Sequence, residues 1–325
     1  MARLPELARE LVKERCDALL TVGLSATRAA REASQTLPIV FFGNFDPLAT
    51  GLVASLARPG NNLSGVLIAV DLRHAGGRAQ ELPRLAAELA ALHPALIVAT
   101  GAAATAAALA ATTDVPIVSL GDLVAAGHAA QLNRPGGRVT GVSFLPAPLN
   151  AKRLELLASV LPKGSAVLNL GDPNSAVGTE SVEAAGRALG LVLHAAYATT
   201  PAQIDAAFAG ARKLRVAGVN VLNSPFLSFH HARIIALAAE ARLPAIYQWP
   251  ESARDGGLMG YGPSRSAMFR QLAGFASRLL AGARAADLPV EQPTRIELSI
   301  NLKTAKVLGL ALPESLRLRA DEVIE

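Results

Sequence analysis

The sequence has few of the residues on which disulfide bonding, metal binding and membrane insertion usually depend. It contains one cysteine, Cys16, so an intrachain disulfide and a cysteine metal cluster are both excluded. Aromatic residues make up 4% of the chain and charged residues 18%. The longest apolar stretch, residues 96–113, is mostly alanine and threonine and is typical of a strand followed by a helix. We therefore expect no direct membrane insertion.

The motifs of common enzyme classes are missing as well. The chain has no Gly-x-x-x-x-Gly-Lys-Ser/Thr phosphate loop, and Gly23-Leu-Ser-Ala-Thr27 departs from a Gly-x-Ser-x-Gly elbow at its last position. His230 and His231 are adjacent, so on a helix they point in different directions and do not form a two-histidine metal site. The sequence thus predicts no catalytic residue, no metal and no cofactor.

The basic residues are scattered rather than clustered. Lys and Arg number 31 against 26 Asp and Glu, which gives a formal net charge of +5. The densest basic sites, Lys152-Arg153 and Arg212-Lys213, are isolated pairs. Because nucleic-acid binding needs a basic stripe or patch, we expect no nucleic-acid partner.

What the chain has in quantity is small and aliphatic residues. It is 51% hydrophobic, which suits helices packed on parallel sheets, and 325 residues are enough for two domains. An internal repeat relates residues 4–66 to residues 82–142, with Leu4–Leu11 matching Leu82–Leu89. Each copy alternates helix and strand in a pattern that predicts a parallel βαβ unit.

The same alternation continues after residue 147. Strands are predicted at 166–170, 191–197, 218–222 and 244–248, with helices between them. Thr200-Pro-Ala-Gln203 predicts a helix start with a capping box. The predicted fold is α/β, with two doubly wound parallel-sheet lobes and a cleft between them. We expect an N-terminal lobe at 1–147, a C-terminal lobe at 148–265, and a segment, 266–325, that returns to the interface or the N-terminal lobe.

Several segments together carry a family resemblance. They are Gly51-Leu-Val-Ala-Ser-Leu-Ala-Arg-Pro-Gly60, Asn133-Arg-Pro-Gly-Gly137, Gly141-Val-Ser-Phe144, Ala151-Lys-Arg-Leu-Glu-Leu-Leu157, Pro244-Ala-Ile-Tyr247, Gly256-Gly-Leu-Met259, Gln292-Pro-Thr294 and Asn301-Leu-Lys-Thr-Ala-Lys306. With them the chain is similar to ABC-transporter substrate-binding proteins of the tryptophan or aromatic-amino-acid-binding type. The resemblance implies a type I periplasmic-binding-protein fold, an aromatic or related small amino acid as ligand, ABC permease subunits as partners and a location in the periplasm or cell envelope.

Two features depart from this family. The family opens with a secretion signal and a first strand and helix, whereas this sequence opens with the first repeat copy, so a cytoplasmic location stays open. We infer that Leu19–Val22 fills the first-strand position of the N-terminal sheet. The family's Asp-Pro is intact as Asp46-Pro47 in copy one, but copy two has the shortened Gly121-Asp122-Leu123, which predicts an altered loop at 121–127.

In open parallel sheets, ligands bind beyond the carboxyl ends of the strands. Polar or small turns at those positions give these candidate ligand residues: Ser25, Thr27, Thr100, Gly101, Ala102, Asp122, Asp172, Asn174, Ser175, Asn223, Ser224 and Pro225. Asp172 is expected to pair with an ammonium group, and the asparagines to orient polar atoms. Ordinary tight turns and Asx capping are the alternative interpretation.

Three aromatic residues add to this set. Tyr247, Trp249 and Tyr261 lie within fifteen positions, and Glu251 follows the tryptophan closely. Such a cluster at strand ends suits stacking against an aromatic ligand, with Glu251 on an amine. The alternative is packing at the hinge or between the lobes.

The leading prediction is a solute receptor that captures a small amino acid or aromatic compound by hinge closure and delivers it to an ABC permease. A cytoplasmic ligand sensor with the same fold and a partly degenerate, non-binding relative are the alternatives. An enzyme is a third class, against which the missing nucleophile, base and metal ligands count.

Overall fold

The computed structural model describes residues 3–14, 16–43, 47–55, 60–67, 70–143, 146–175 and 179–325. Asp46 lies outside the described residues. The chain divides into two compact units, residues 1–72 and residues 73–325. Within the described ranges, no helix is long and apolar enough to cross a membrane.

The first unit is a three-stranded parallel sheet with its connecting helices. Its elements are α1 (Leu4–Lys13), β1 (Leu19–Val22), α2 (Leu24–Ala33), β2 (Ile39–Gly43) and β3 (Leu63–Leu67). The strands lie in the order β1-β2-β3. Leu19, Ile39 and Leu63 are buried together in its core, and each contributes about 1.5–3 kcal/mol.

The second unit begins with the same arrangement. Its first elements are α3 (Leu82–Ala90), β4 (Ile97–Thr100), α4 (Ala102–Ala111), β5 (Ile117–Leu120) and β6 (Val139–Val142), again a parallel sheet in the order β4-β5-β6. Glycine starts the second helix in both copies, at Gly23 with φ 82° and Gly101 with φ 97°. A threonine hydroxyl then donates to that glycine carbonyl at 2.9 Å, from Thr27 in one copy and Thr105 in the other.

The sheet order corrects one expectation. β1 pairs with β2, and β4–β6 form a separate sheet, so within the described residues Leu19–Val22 does not complete the sheet of the second copy. The reason is that the first copy brings its own complete β-α-β-β set, whose strands pair with one another. The grouping of residues 1–147 into one lobe stays a prediction.

The rest of the second unit is built on a seven-stranded sheet. Its strands are β7 (Ala166–Gly171), β8 (Val192–Tyr197), β9 (Gly218–Val221), β10 (Ala245–Tyr247), β11 (Met259–Pro263), β12 (Ile296–Asn301) and β13 (Glu322–Ile324). They lie in the order β13-β12-β11-β10-β9-β7-β8; β11 and β12 pair antiparallel, and the other neighbours pair parallel. This doubly wound, largely parallel α/β architecture confirms the predicted fold class.

Helices follow β6 along the chain, and all but the longest of them pack on this sheet. They are α5 (Pro146–Ala158), α6 (Thr179–Ala188), α7 (Pro201–Lys213), α8 (Pro225–Phe229), α9 (His231–Glu240), α10 (Glu251–Arg254), α11 (Arg265–Leu280), α12 (Leu302–Leu308) and α13 (Glu314–Arg317). α7 and α9 pack on one face and α5 on the other. The predicted capping box of α7 is confirmed, because Thr200 accepts from the Gln203 amide and Gln203 reaches back.

α11 leaves the seven-stranded sheet and packs on β5 and β6. Met268, Leu272 and Phe275 of this helix share a buried cluster with Val118 and Val142. The segment after α11 adds to this contact, since Ser143 N donates to Glu291 O at 2.8 Å. The chain therefore passes between the sheets after β6, after β11 and before β12, and these crossings join the two layers into one unit.

Candidate functional site

Polar groups meet where β7, β9 and β10 end. Asp172 follows β7 and accepts hydrogen bonds from Ser224 Oγ at 2.7 Å and from Asn174 N at 2.9 Å. This residue is 5% exposed, and within the described ranges its carboxylate has no cationic partner. Because a buried carboxylate is expensive without a compensating charge, this position is suited to an ammonium group.

Gln248 joins the turns after β9 and β10. Its Oε1 accepts from Ser224 N at 3.1 Å, and its Nε2 donates to Ser224 O at 3.2 Å. Ser228 Oγ accepts from Trp249 Nε1 at 2.9 Å. Sequence reasoning missed Gln248, although a glutamine directly after the apolar strand Ala245–Tyr247 is a signal that could have found it.

A buried arginine holds the turn that begins at Asn223. Arg153 is fully buried, and its Nε donates to Tyr261 O at 2.8 Å while its Nη1 donates to Asn150 Oδ1. The same Asn150 oxygen accepts from Asn223 N at 3.3 Å. Burial lowers the pKa of Arg153 to about 9, an effect that the nearby Tyr261 partly opposes.

Arg153 carries a charge that lacks a counterion. Its Nη2 is buried without a hydrogen-bond partner, and no described carboxylate forms an ion pair with it. A chain of hydrogen bonds and neighbouring residues leads from Arg153 through Asn150 and Asn223 to Ser224 and Asp172. In the sequence, Lys152-Arg153 is one more isolated basic pair. Only the tertiary packing shows that Arg153 is buried while Lys152 is not.

The loops beside the β4-β5-β6 sheet, the smaller sheet of the second unit, lie directly against α8. A Cβ atom built on Gly101 would lie 3.1 Å from Pro225 Cγ, and one on Gly77 would lie 2.6 Å from Phe226 Cδ2. Position 77 therefore requires glycine, and α8 is in close contact with the loops that contain Gly77 and Gly101. Thr100, exposed at the end of β4, and Ala102, at the start of α4, flank Gly101.

Several predicted residues serve the local structure of their own segment. Asp122 Oδ1 accepts from Ala125 N at 3.2 Å and caps the turn that contains it. Asn174 is exposed, and Ser175 N donates to Asp172 O at 2.9 Å. Glu251 Oε1 accepts from Arg265 N at 2.9 Å, so this carboxylate holds the start of α11.

Ser25 and Thr27 lie in the first unit. Ser25 is exposed on the first turn of α2. Thr27 is fully buried, and its hydroxyl lies 2.9 Å from Thr21 Oγ1 as well as from Gly23 O. Thr27 is therefore a packing residue, because its hydroxyl is already satisfied inside the core.

The three aromatic residues do not form one stacking surface. Tyr247, Trp249 and Tyr261 belong to or pack against three different hydrophobic clusters. Burial raises the pKa of the Tyr247 phenol, in agreement with its 2% exposure. Tyr247 and Trp249 are buried in these clusters, and contact of the three side chains with a ligand stays a prediction.

A hollow of about 360 Å³ lies at the amino ends of β4 and β5. Its lining includes His93, Asp114 and several alanines. It is at the opposite end of the sheet from the strand-end turns, where α/β folds bind their ligands. We therefore place the candidate site at the turns that hold Asp172, Ser224 and Gln248.

Two similar proteins are described together with an amino acid, one by its name and one by the ligand in its structure. The chain is 25% identical over 276 residues to a tyrosine-binding protein of Clostridioides difficile, a match that covers 82% of this chain and 78% of that protein. A Streptococcus pneumoniae ABC domain, solved with L-Trp, is 22% identical with a TM-score of 0.68, covering 81% of this chain and 89% of that one.

A third relative matches almost the whole chain. A conserved domain protein of Vibrio cholerae is 23% identical with a TM-score of 0.71, covering 95% of this chain and 100% of that one. These two structures share the fold with the chain. The family model for ABC transporter substrate binding proteins matches twice, at residues 1–74 and 67–324. The chain belongs to the family of ABC transporter substrate-binding proteins.

Proposed function

We propose that this protein is the receptor of an ABC uptake system for an α-amino acid, which it binds without chemical change. The observation that carries this proposal is Asp172, a buried carboxylate at a strand end with no cation beside it in the described residues. An ammonium group of the solute supplies the missing charge. The names of the tyrosine-binding and L-Trp-bound relatives support the amino-acid class.

In this proposal, the turns of the seven-stranded sheet hold the head of the solute. Asp172 accepts from the ammonium group. Ser224 Oγ donates to the Asp172 carboxylate and orients it, and the bond from Asn223 N to Asn150 Oδ1 holds the turn. Arg153 is buried behind this turn and bonded to Asn150, and its positive charge favours a solute that also carries a carboxylate. A charge-assisted contact of this kind is roughly twice as strong as a neutral one.

Hinge closure completes the site in the proposed mechanism. The contacts of Pro225 with Gly101 and of Phe226 with Gly77 support a closed arrangement of the two sheets of residues 73–325. Closure excludes water and strengthens the charged contacts. We extend the proposal to delivery to a permease and to a location outside the cytoplasmic membrane, which fractionation of the native cells would test.

Isothermal titration with a panel of L-amino acids tests this function. At least one of them should bind and raise the melting temperature. The variant Asp172→Asn should lower its affinity by about tenfold or more, because the amide carries no charge. Asp114→Asn, at an exposed carboxylate away from the turns, is the matched control. Binding of no amino acid, or equal affinity of Asp172→Asn and wild type, would overturn the proposal.

A further inference from the structure

A groove lies beside the outer part of the seven-stranded sheet, and Tyr197 and Leu222 line its end at the carboxyl ends of β8 and β9. It lies between α6 and β8, and β8 is the edge strand. Its volume is about 230 Å³, which suits a molecule smaller than a drug-sized ligand. Its lining includes Asn169, Glu183, Arg187, Leu193, Tyr197 and Leu222.

Asn169, which lines the groove, belongs to an unusual pair of asparagines. Asn169 on β7 and Asn220 on β9 are register partners, and Asn220 Nδ2 donates to Asn169 Oδ1 at 3.0 Å. Strands buried on both faces are normally apolar, as the neighbouring Val167 is here. Asn220 is fully buried, and its Oδ1 has no hydrogen-bond partner. A buried amide with an unpaired oxygen lowers stability, and Asn169 places one of these two amides at the groove.

Opposite charges line the wall that α6 forms. Glu183 and Arg187 lie one helical turn apart, a spacing at which such residues often pair with each other. Neither makes an ion pair in the part of the chain that the structure describes. Both side chains are exposed and line the groove. The wall therefore offers one anion and one cation to a single small molecule.

An aromatic ring closes the end of the groove near the carboxyl end of β8. Tyr197 is 46% exposed, and Gly171 makes room for its ring, because a Cβ atom there would lie 3.1 Å from Tyr197 Cε1. Leu193 and Leu222 add apolar surface beside it. An exposed ring next to apolar side chains is suited to stacking against a second ring.

We propose that this groove is a second binding site, which takes a small aromatic zwitterion. Arg187 binds its carboxylate, Glu183 its ammonium group and Tyr197 its ring, while Asn169 donates or accepts a hydrogen bond. This site does not use Asp172, whose carboxylate accepts from Ser224 and Asn174 and from none of the groove residues named here. The proposal rests on opposite charges, a buried amide and an exposed ring that line one groove.

Fluorine NMR tests this site directly, because the chain has three tyrosines. The protein is labelled with 3-fluorotyrosine, the Tyr197 signal is assigned with Tyr197→Phe, and L-phenylalanine is the probe. The Tyr197 signal should move saturably, and Arg187→Ala and Glu183→Gln should each weaken the apparent affinity by about tenfold. N-acetyl-L-phenylalanine and L-phenylalaninamide, which each lack one charge, should bind more weakly than L-phenylalanine.

Two control variants separate binding in this groove from a general effect of lost surface charge and from binding at Asp172. Arg212→Ala removes an exposed arginine on α7 and should leave the titration unchanged. Asp172→Asn should also leave it unchanged, even if it abolishes binding at the strand-end turns. The proposal is overturned if the Tyr197 signal does not move at about 10 mM probe. It is equally overturned if Arg187→Ala has no effect, or if Asp172→Asn removes the response.

Discussion

Gly77 provides the sharpest test of the contact between α8 and the loops of the smaller sheet. In Gly77→Ala, the new methyl group would lie 2.6 Å from Phe226 Cδ2, which is far inside van der Waals contact. Overpacking of this kind costs about 1–3 kcal/mol. An open arrangement escapes that clash, so the substitution should penalise the closed form selectively. The expected result is a loss of solute affinity of roughly 5- to 150-fold, measured by isothermal titration.

The neighbouring glycine separates this clash from backbone strain. Gly76 has φ +60° and Gly77 has φ +79°, so alanine is strained at both positions. At Gly76, however, the nearest atom to a new methyl group is Arg78 Nη1 at 3.6 Å, an ordinary contact. Gly76→Ala should therefore bind solute almost as wild type does. In Gly77→Ala, the added change Phe226→Ala should recover part of the affinity. Equal affinities of the two alanine variants would refute the reasoning.

Two further predictions concern stability. The folded-state pKa of Tyr247 is raised above its ordinary value of 10.0, so its contribution to the free energy of unfolding is present below pH 10 and is lost as the pH rises further. Urea unfolding above pH 10 should therefore show a loss approaching about 1.4 kcal/mol per pH unit in the wild type but not in Tyr247→Phe. Parallel stability curves for the two proteins would contradict this. Thr105→Val removes the hydroxyl that lies 2.9 Å from Gly101 O and 2.6 Å from Ser119 Oγ, and it should lower the free energy of unfolding by about 1–3 kcal/mol. Thr113→Val, at an exposed threonine, is the control and should leave the free energy of unfolding unchanged. An unchanged melting temperature for Thr105→Val would count against this prediction.

Local signals in the sequence correctly predicted the α/β class and many of its elements. Gly23 and Gly101 both start helices directly after strands, and Thr200 with Gln203 forms the capping box that the motif indicated. Asp172 and Ser224 were selected because polar residues follow apolar strands, and the structure brings them within 2.7 Å of each other. These features depend on backbone hydrogen bonding over a few residues or on the common direction of parallel strands, and sequence reasoning can follow both.

Other candidate residues depended on packing that no local pattern encodes. The aromatic trio is close in sequence, yet its members are distributed among three clusters, because Tyr247 lies in β10, Trp249 in the turn after it and Tyr261 in β11. Gln248 and Asn150 were missed because their partners come from distant turns. The pairing of β1 with β2 rather than with the second copy's sheet was also decided by long-range contacts.

The sequence by itself determined the parallel α/β class, the repeated arrangement of elements and the chemical character of the strand-end turns, because each follows from periodicity and from short-range backbone geometry. Only the tertiary structure decided which buried polar and charged groups find a hydrogen-bond partner and which do not. Arg153 meets Tyr261 across 108 residues, and Asn220 meets Asn169 across 51. Burial and pairing at such separations are properties of the packed chain as a whole, since each depends on which surfaces the other elements cover.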